Sequence, residues 1–183
     1  MKKFSNCILA IFVAILMSSC KTNTETNFSE SYDPHSTDTQ TYHIEIDNTK
    51  EILKTIISCF DNKDKERLKT LFAASITNEY DLDSQIDRAF AIYEGVSVSY
   101  EIDGGSQKSK HIVNGQYVYL RYNGQINYIK LDNDNYYNIS IIRCVVDDEN
   151  PDNVGLNRIT LCKDDGTKLA PIGEFTDQET FYE

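Results

Sequence analysis

Hydrophobic residues between positions 48 and 93 recur at intervals of three and four, which is the spacing of a buried stripe along a helix. The first stripe follows a capping residue, Asn48 or Thr49, and a second lies within residues 63–72. A third helix is predicted from about Leu82 to Tyr93, with Gly95 placed to end it. The stripes contain Ile52, Leu53, Ile56, Ile57 and Phe60, then Leu68, Leu71 and Phe72, then Ile86, Ala89, Phe90 and Tyr93.

The hydrophobic period changes to two after Gly95. Apolar and polar residues alternate over 96–103, and Gly104-Gly105 then predicts a turn. Asn114-Gly115 and Asn123-Gly124 predict two more turns of the same kind. Further strands are predicted at 116–122, 125–131, 136–146 and 155–162. Because parallel strands would need helices between them, a block of helices followed by a meander of strands predicts an α+β fold with an antiparallel sheet.

The beginning of the chain has a different pattern. Lys2 and Lys3 precede an apolar run, Cys7 to Met17, which is shorter than the about 20 residues of a membrane-spanning helix but typical of a signal peptide. The next residues, Leu16-Met17-Ser18-Ser19-Cys20, resemble the lipobox of bacterial lipoproteins. This resemblance implies a lipoprotein signal peptide over 1–19 and a lipid attachment site at Cys20. The alternative is an ordinary cleaved signal peptide with a chance cysteine.

Polar residues dominate the segment after the lipobox. Residues 20–42 are interpreted as the lipidated cysteine and a flexible polar tether, because Thr, Ser and Asn are frequent and bulky apolar residues are few. We place the folded domain at 43–169 and a C-terminal tail at 170–183. The expected location is therefore the extracytoplasmic face of the cell membrane, where two or more acyl chains give stable anchoring.

The charge balance narrows the possible partners. Eighteen Lys and Arg against 29 Asp and Glu give a net charge of −11, and loss of Lys2 and Lys3 with the leader would make it −13. Nucleic acids and anionic membrane surfaces attract basic faces, so neither is expected as a partner. Hydrophobic residues at 40% are sufficient for a packed interior, which excludes wholesale disorder.

Two segments resemble a known family. Residues 61–72 (DNKDKERLKTLF) and 148–156 (DENPDNVGL), together with the leader and tether, are similar to uncharacterised DUF5104-like lipoproteins of Gram-positive bacteria. The resemblance implies an NTF2-like, or cystatin-like, cone in which N-terminal helices pack on a curved antiparallel sheet. It brings no catalytic residues, and it permits a homodimer through the open face of the sheet.

Tyrosines and arginines of the strands are the candidate binding residues. Tyr117, Tyr119 and Arg121 share one face of a strand, where hydroxyls and a guanidinium suit an anionic or sugar-like ligand. The alternative is strand propensity with cross-strand aromatic pairing. Arg143 lies in an apolar run, so it requires a carboxylate partner, an exposed strand end or an anion in a pocket. The complete candidate pocket is Tyr100, Tyr117, Tyr119, Arg121, Tyr128 and Arg143.

The sequence gives little support for a metal site, a cofactor or a disulfide. The Asp- and Asn-rich segments 132–135 and 147–152 are interpreted as turns, because counting from Asp132 places Tyr137 and Arg143 where an EF-hand has glycine and glutamate. The three histidines have no metal-site spacing, so we predict neither a metal nor a cofactor. The cysteines of the domain are interpreted as buried free thiols, with a bridge between the last two as the alternative; they are Cys59, Cys144 and Cys162.

Three classes of function remain. The first is a non-catalytic binding or interaction module for a small molecule or a cell-envelope protein, anchored to the membrane through acyl chains on Cys20. The second is an isomerase or dehydratase that uses the cone. The third is a protein that only blocks a partner. A deep polar cavity favours the first two, whereas a filled cone with an exposed apolar patch favours a protein partner.

Overall fold

The computed structural model describes the backbone of residues 37–173 and the side chains of residues 45–173. Cys20, the leader and most of the tether lie outside these residues. The helices of the described part are α1 (Thr37–Asn62), α2 (Lys65–Lys69), α3 (Ala74–Glu79) and α4 (Leu82–Ile92). The strands are β1 (Ser97–Asp103), β2 (Gln107–Val113), β3 (Gln116–Leu131), β4 (Tyr136–Asp147), β5 (Gly155–Lys163) and β6 (Lys168–Ile172), with a 3₁₀ turn at Pro151–Asn153.

The strands form one antiparallel sheet in the order β1-β3-β4-β5-β6. The long strand β3 pairs with β1 through its second half, where Asp103 faces Gln125, and with β2 through its first half, where Val113 faces Gln116. Consequently β1 and β2 follow one another along the same side of β3. The predicted mixture of N-terminal helices and an open antiparallel sheet is confirmed in the described residues.

The turn predicted at Asn123-Gly124 is wrong. Both residues lie inside β3, and Gly124 pairs with Ile141 of β4. A Cβ atom at position 124 would lie 2.7 Å from Cγ2 of Thr49 and 3.1 Å from Cδ1 of Leu53. The glycine is therefore needed for close approach of α1 to the sheet and not for a reversal of the chain.

Strand β2 was not predicted. Most of its residues are exposed on both faces, so the apolar and polar alternation that identifies a half-buried strand is absent. The strand lies at the edge of the sheet, where lysines such as Lys108 and Lys110 are common because they discourage pairing with other chains.

The helix boundaries also differ from the prediction. Helix α1 begins at Thr37, so the tether interpreted as ending at residue 42 overlaps its first residues. Thr49 does not cap the helix, since it is fully buried within it and its hydroxyl donates to the carbonyl oxygen of Glu45. The caps of α2 and α4 are Asp64 and Asp81, whose carboxylates accept from backbone N–H groups of the first turn.

The end of the folded domain extends beyond the predicted boundary at residue 169. Strand β6 continues to Ile172, and both Ala170 and Ile172 are completely buried. The backbone N–H of Gly173 donates to Oε1 of Gln85 at 2.7 Å, which ties the end of β6 to α4.

The core lies between one face of the sheet and the helices α1 and α4. Phe60 packs edge-on against Phe90 and Tyr93, with ring centroids 5.2 Å apart in both pairs. The Tyr93 hydroxyl donates to Oδ1 of Asp61, and the backbone and side chain of Ser97 donate to the same carboxylate. This polar junction joins α1, α4 and the start of β1 inside an otherwise apolar interior.

The three cysteines of the domain are free thiols. Cys144 faces Gly155 and Cys162 faces Asn138, so the two thiols lie on neighbouring strands but six residues apart in register. At about 3.3 Å a residue this separation is roughly 20 Å, which a disulfide cannot span.

Candidate functional site

The six candidate residues lie in different places. Tyr100 and Tyr128 are exposed, and Tyr128 lies at a bulge of β3 where its backbone N–H donates to Oδ1 of Asn138 at 2.8 Å. Tyr117 is partly buried opposite Ile112 of β2. The structure therefore does not bring the six side chains into one pocket.

Arg143 is part of an ion pair between the sheet and α1. Its Nη1 lies 3.1 Å from Oε2 of Glu45 and donates to Oγ1 of Thr49 at 3.1 Å. The side chains of Arg143 and Glu45 are 13% and 14% exposed. This arrangement satisfies the guanidinium with a carboxylate, which was the first alternative for an arginine in an apolar run.

Tyr119 and Arg121 instead line a concave surface at one end of the sheet, which we name the Tyr119 groove. It consists of two depressions that share Tyr119 and Asp147. The smaller, of about 200 Å³, is also lined by Ile76, Arg121, Cys144, Asn153 and Asn157. The larger, of about 430 Å³, is also lined by His111, Val113, Val118, Asp148 and Glu149.

The strand register explains how this groove forms. Tyr119 of β3 faces Asp147 at the end of β4, and an irregularity after Leu120 then places Arg121 opposite Cys144. The backbone N–H of Asp148 donates to the carbonyl oxygen of Val118 at 2.9 Å, which continues the pairing beyond β4. A bulge of this kind bends a strand and redirects its side chains.

Asp147 is held in place by the turn that follows β4. It is almost fully buried, and its Oδ1 accepts from the backbone N–H of Asn150 while its Oδ2 accepts from Nδ2 of Asn153, both at 2.9 Å. The hydrogen bond from Asn153 is the main cause that lowers the pKa of Asp147, and the positive charge of Arg121 lowers it further. Asp147 is therefore a carboxylate at neutral pH.

Arg121 and Cys144 complete the smaller depression. The Nε atom of Arg121 is buried and has no hydrogen-bond partner among the described residues. The thiol of Cys144 is buried and donates to the carbonyl oxygen of Val146 at 3.3 Å. Burial raises the pKa of this thiol, so it stays protonated and is a poor nucleophile.

Several lining residues were missed by the sequence analysis. The Asp- and Asn-rich segment 147–152 was interpreted as a turn, which it is, but its first residue also lies in the groove. His111 belongs to β2, a strand that the sequence pattern did not predict. The available signal was the segment 148–156, which carried part of the family resemblance.

Within the residues that the structure describes, no group of three or more His, Cys, Asp and Glu side chains is arranged to hold a metal ion. Nor does the described part of the chain contain a helix with the length and apolar character needed to cross a membrane.

Comparison with known proteins identifies the family. The family described as "Domain of unknown function (DUF5104)" matches residues 55–164, which is more than half of the chain. The chain belongs to this family. The DUF5104 match runs from the middle of α1 to the end of β5, so it includes all the lining residues of the Tyr119 groove. No curated protein matches the sequence.

Proposed function

We propose that the protein is a membrane-anchored extracytoplasmic lipoprotein whose DUF5104 domain is a non-catalytic binding module. The observation that carries the proposal is the Tyr119 groove, an open concave surface in which a tyrosine, an arginine and a carboxylate line one depression; they are Tyr119, Arg121 and Asp147. Concave surfaces with a few convergent polar groups are typical of ligand-binding sites. The groove therefore offers charged and hydrogen-bonding groups to a ligand.

The proposed absence of catalysis follows from the ionisable groups. Asp147 accepts two hydrogen bonds within its own turn, which lower its pKa and make it a weak base. Cys144 is a protonated thiol at neutral pH because burial raises its pKa. Neither group is therefore suited to abstract a proton or to attack a substrate.

An enzyme of the isomerase or dehydratase type is the second candidate. One observation favours it: His111 lines the larger depression together with Asp148 and Glu149. Histidine is the residue most often used for proton transfer near neutral pH. Under this alternative, His111→Asn would abolish turnover of a ligand and leave its binding intact.

We also propose that the fold is an NTF2-like cone. The support is the order of elements, with helices before an antiparallel sheet, and the irregular registers that bend β3 against β1, β2 and β4. Close packing of α1 against Gly124 is also consistent with a sheet that curves around its helices. In this reading the inside of the cone is filled by the core, and the binding surface lies at its rim.

The proposed anchor rests on the lipobox, and Cys20→Ala tests it. The chain is expressed in a bacterial host with labelled fatty acid, and the membrane fraction is collected. We expect the wild type to carry label and to sediment with membranes, and Cys20→Ala to lose both properties. Cys7→Ala, which changes a cysteine of the apolar run, is the matched control and should behave as wild type. Acylation of the Cys20→Ala variant would contradict the anchor.

The binding function is tested by a ligand-detected NMR screen of small amines, carboxylates, sugars and peptides against the full chain. Binding that weakens in Arg121→Gln but not in Arg88→Gln, an exposed arginine of α4, would support the groove. Chemical conversion of any bound compound, followed by mass spectrometry, would favour the enzyme. Failure of every compound to bind would contradict the binding module.

A further inference from the structure

The two ends of the Tyr119 groove differ in charge, although the carboxylate of Asp147 lines both. The guanidinium of Arg121 lies in the smaller depression, whereas the carboxylates of Asp148 and Glu149 lie in the larger one. Asp148 is joined through its backbone N–H to Val118, three residues before Arg121 along β3. At about 3.3 Å a residue, the backbone positions of the two ends are therefore separated by roughly 10 Å.

The arginine end is suited to an anion of planar shape. Guanidinium groups bind carboxylates through paired N–H donors, and Arg121 lines this depression. Asp147 lies in the same depression, but its two oxygens already accept from Asn150 and Asn153. Asp147 keeps its negative charge beside Arg121, so a ligand carboxylate binds here through the N–H donors of the guanidinium and not through a net positive charge.

The acidic end is suited to a cation. Asp148 and Glu149 are both exposed and carry two negative charges at one wall of the larger depression. His111 of β2 also lines this depression, and no Lys or Arg does. An ammonium group of a ligand is accommodated here by charge and by hydrogen bonding to carboxylate oxygens.

The middle of the groove has the mixed polarity that a peptide backbone requires. Val113 and Val118 provide an apolar wall, and the partly buried Tyr119 lies between the two depressions. The side-chain amides of Asn153 and Asn157 use their N–H groups in bonds to Asp147 and to the Asn153 backbone, so each keeps a carbonyl oxygen that can accept from a ligand.

We propose that the Tyr119 groove binds a short zwitterionic peptide, with the α-carboxylate on Arg121 and the α-amino group at Asp148 and Glu149. A fully extended chain spans at most about 3.3 to 3.6 Å a residue, so about three residues match the separation of roughly 10 Å. This inference rests on the proposed binding function and specifies its ligand class. A simple anion or a neutral sugar would leave the acidic end of the groove without a partner.

The test is isothermal titration of the purified full chain with trialanine that has both termini free. The comparison peptides are N-acetyl-trialanine, which lacks the amino charge, and trialanine amide, which lacks the carboxylate. We expect the free peptide to bind and each capped peptide to bind at least about tenfold more weakly, which corresponds to loss of one charge-assisted contact.

Variants assign each terminus to its end of the groove. Arg121→Gln should remove the preference for the free carboxylate and keep the preference for the free amine, and Glu149→Gln should do the reverse. Glu149 is exposed, so its substitution leaves folding intact even where Arg121→Gln lowers stability. Arg88→Gln and Glu79→Gln are matched exposed controls on α4 and α3 and should change neither preference.

The outcomes distinguish the peptide proposal from the binding module on which it rests. Equal affinity for free and capped peptides would overturn the zwitterion proposal. Absence of peptide binding at millimolar concentration, while another compound of the NMR screen binds and depends on Arg121, would overturn the peptide but keep the binding module. If no compound binds, both proposals fail.

Discussion

The close approach of α1 to β3 makes Gly124→Ala a quantitative test of the fold. The new Cβ would lie 2.7 Å from Cγ2 of Thr49, a distance that real Cβ atoms do not adopt, and 3.1 Å from Cδ1 of Leu53. Thr49 is fully buried and held by its bonds to Glu45 and Arg143, so it cannot rotate away freely. Overpacking of this kind costs about 1 to 3 kcal/mol.

Alanine also has a stabilising effect at this position. Replacing glycine restricts the unfolded chain and stabilises a protein by about 0.4 to 1 kcal/mol where the backbone permits it. The central values of this cost and gain leave a net loss in the free energy of unfolding of about 1.3 kcal/mol. With a urea m-value of about 2 kcal/mol per molar, the unfolding midpoint should fall by roughly 0.65 M.

A second substitution identifies the cause. Thr49→Ser keeps the hydroxyl that donates to Glu45 and accepts from Arg143 but removes the clashing methyl group. Alone it should cost about 1 kcal/mol by leaving a small cavity. Combined with Gly124→Ala it should cost less than the sum of the two, because the alanine methyl occupies the vacated space; the coupling should reach about 1 kcal/mol.

The matched control is Thr55→Ser, which removes a methyl from a threonine of α1 with the same hydroxyl bond to the carbonyl four residues earlier. Paired with Gly124→Ala it should be additive within about 0.5 kcal/mol. Urea unfolding followed by circular dichroism measures all six proteins. Additivity of Gly124→Ala with Thr49→Ser would refute the steric account of this glycine.

Three other predictions follow from the polar groups. The pKa of Asp147 is lowered in the folded chain, so its ionisation stabilises the fold above the unfolded pKa of about 3.9, and this stabilisation is lost as the pH falls below that value. Asp147→Asn should therefore make the urea midpoint less dependent on pH in acid. Burial and the Asp61 carboxylate raise the pKa of Tyr93, so stability should fall as the pH rises above about 10, where the unfolded tyrosine ionises. Tyr93→Phe should weaken this fall. At neutral pH it should lower the free energy of unfolding by about 1 to 2 kcal/mol, because the hydrogen bond to Asp61 is lost. Iodoacetamide labelling of the native chain, mapped by mass spectrometry, should modify the partly exposed Cys162 before the buried Cys59 and Cys144. Equal labelling rates at all three thiols would contradict the described core.

Local periodicity predicted the parts of the fold that bury one face. The stripe of Leu53, Ile56 and Phe60 marked α1 because a helix on a core repeats its apolar positions every three to four residues. It failed where both faces are exposed, as in β2, and where a turn dipeptide is used for packing, as at Asn123-Gly124. In that dipeptide the deciding contact comes from Thr49, which is far away in the sequence.

The candidate groove was only partly predictable for a related reason. Tyr119 and Arg121 were placed on one face by the period of two, and they do line the same depression. Their partnership with Asp147 depends on the register of β3 against β4 and on an irregularity after Leu120, neither of which a single sequence encodes in its local pattern. Arg143 was assigned to the same pocket because its paired carboxylate, Glu45, lies on a different element.

The position of β3 also constrains the order in which the protein can fold. In the described sheet β1 and β2 both pair with β3 alone, yet they precede it in the chain. During synthesis the helices and these two strands emerge before any strand that can receive them. The β3–β4 hairpin, whose strands are joined by the short segment 132–135, is the most local pairing of the long strands. Since local contacts close at the lowest entropic cost, the hairpins that β3 forms with β2 and with β4 are the expected nucleus, and β1 cannot pair until β3 has been synthesised.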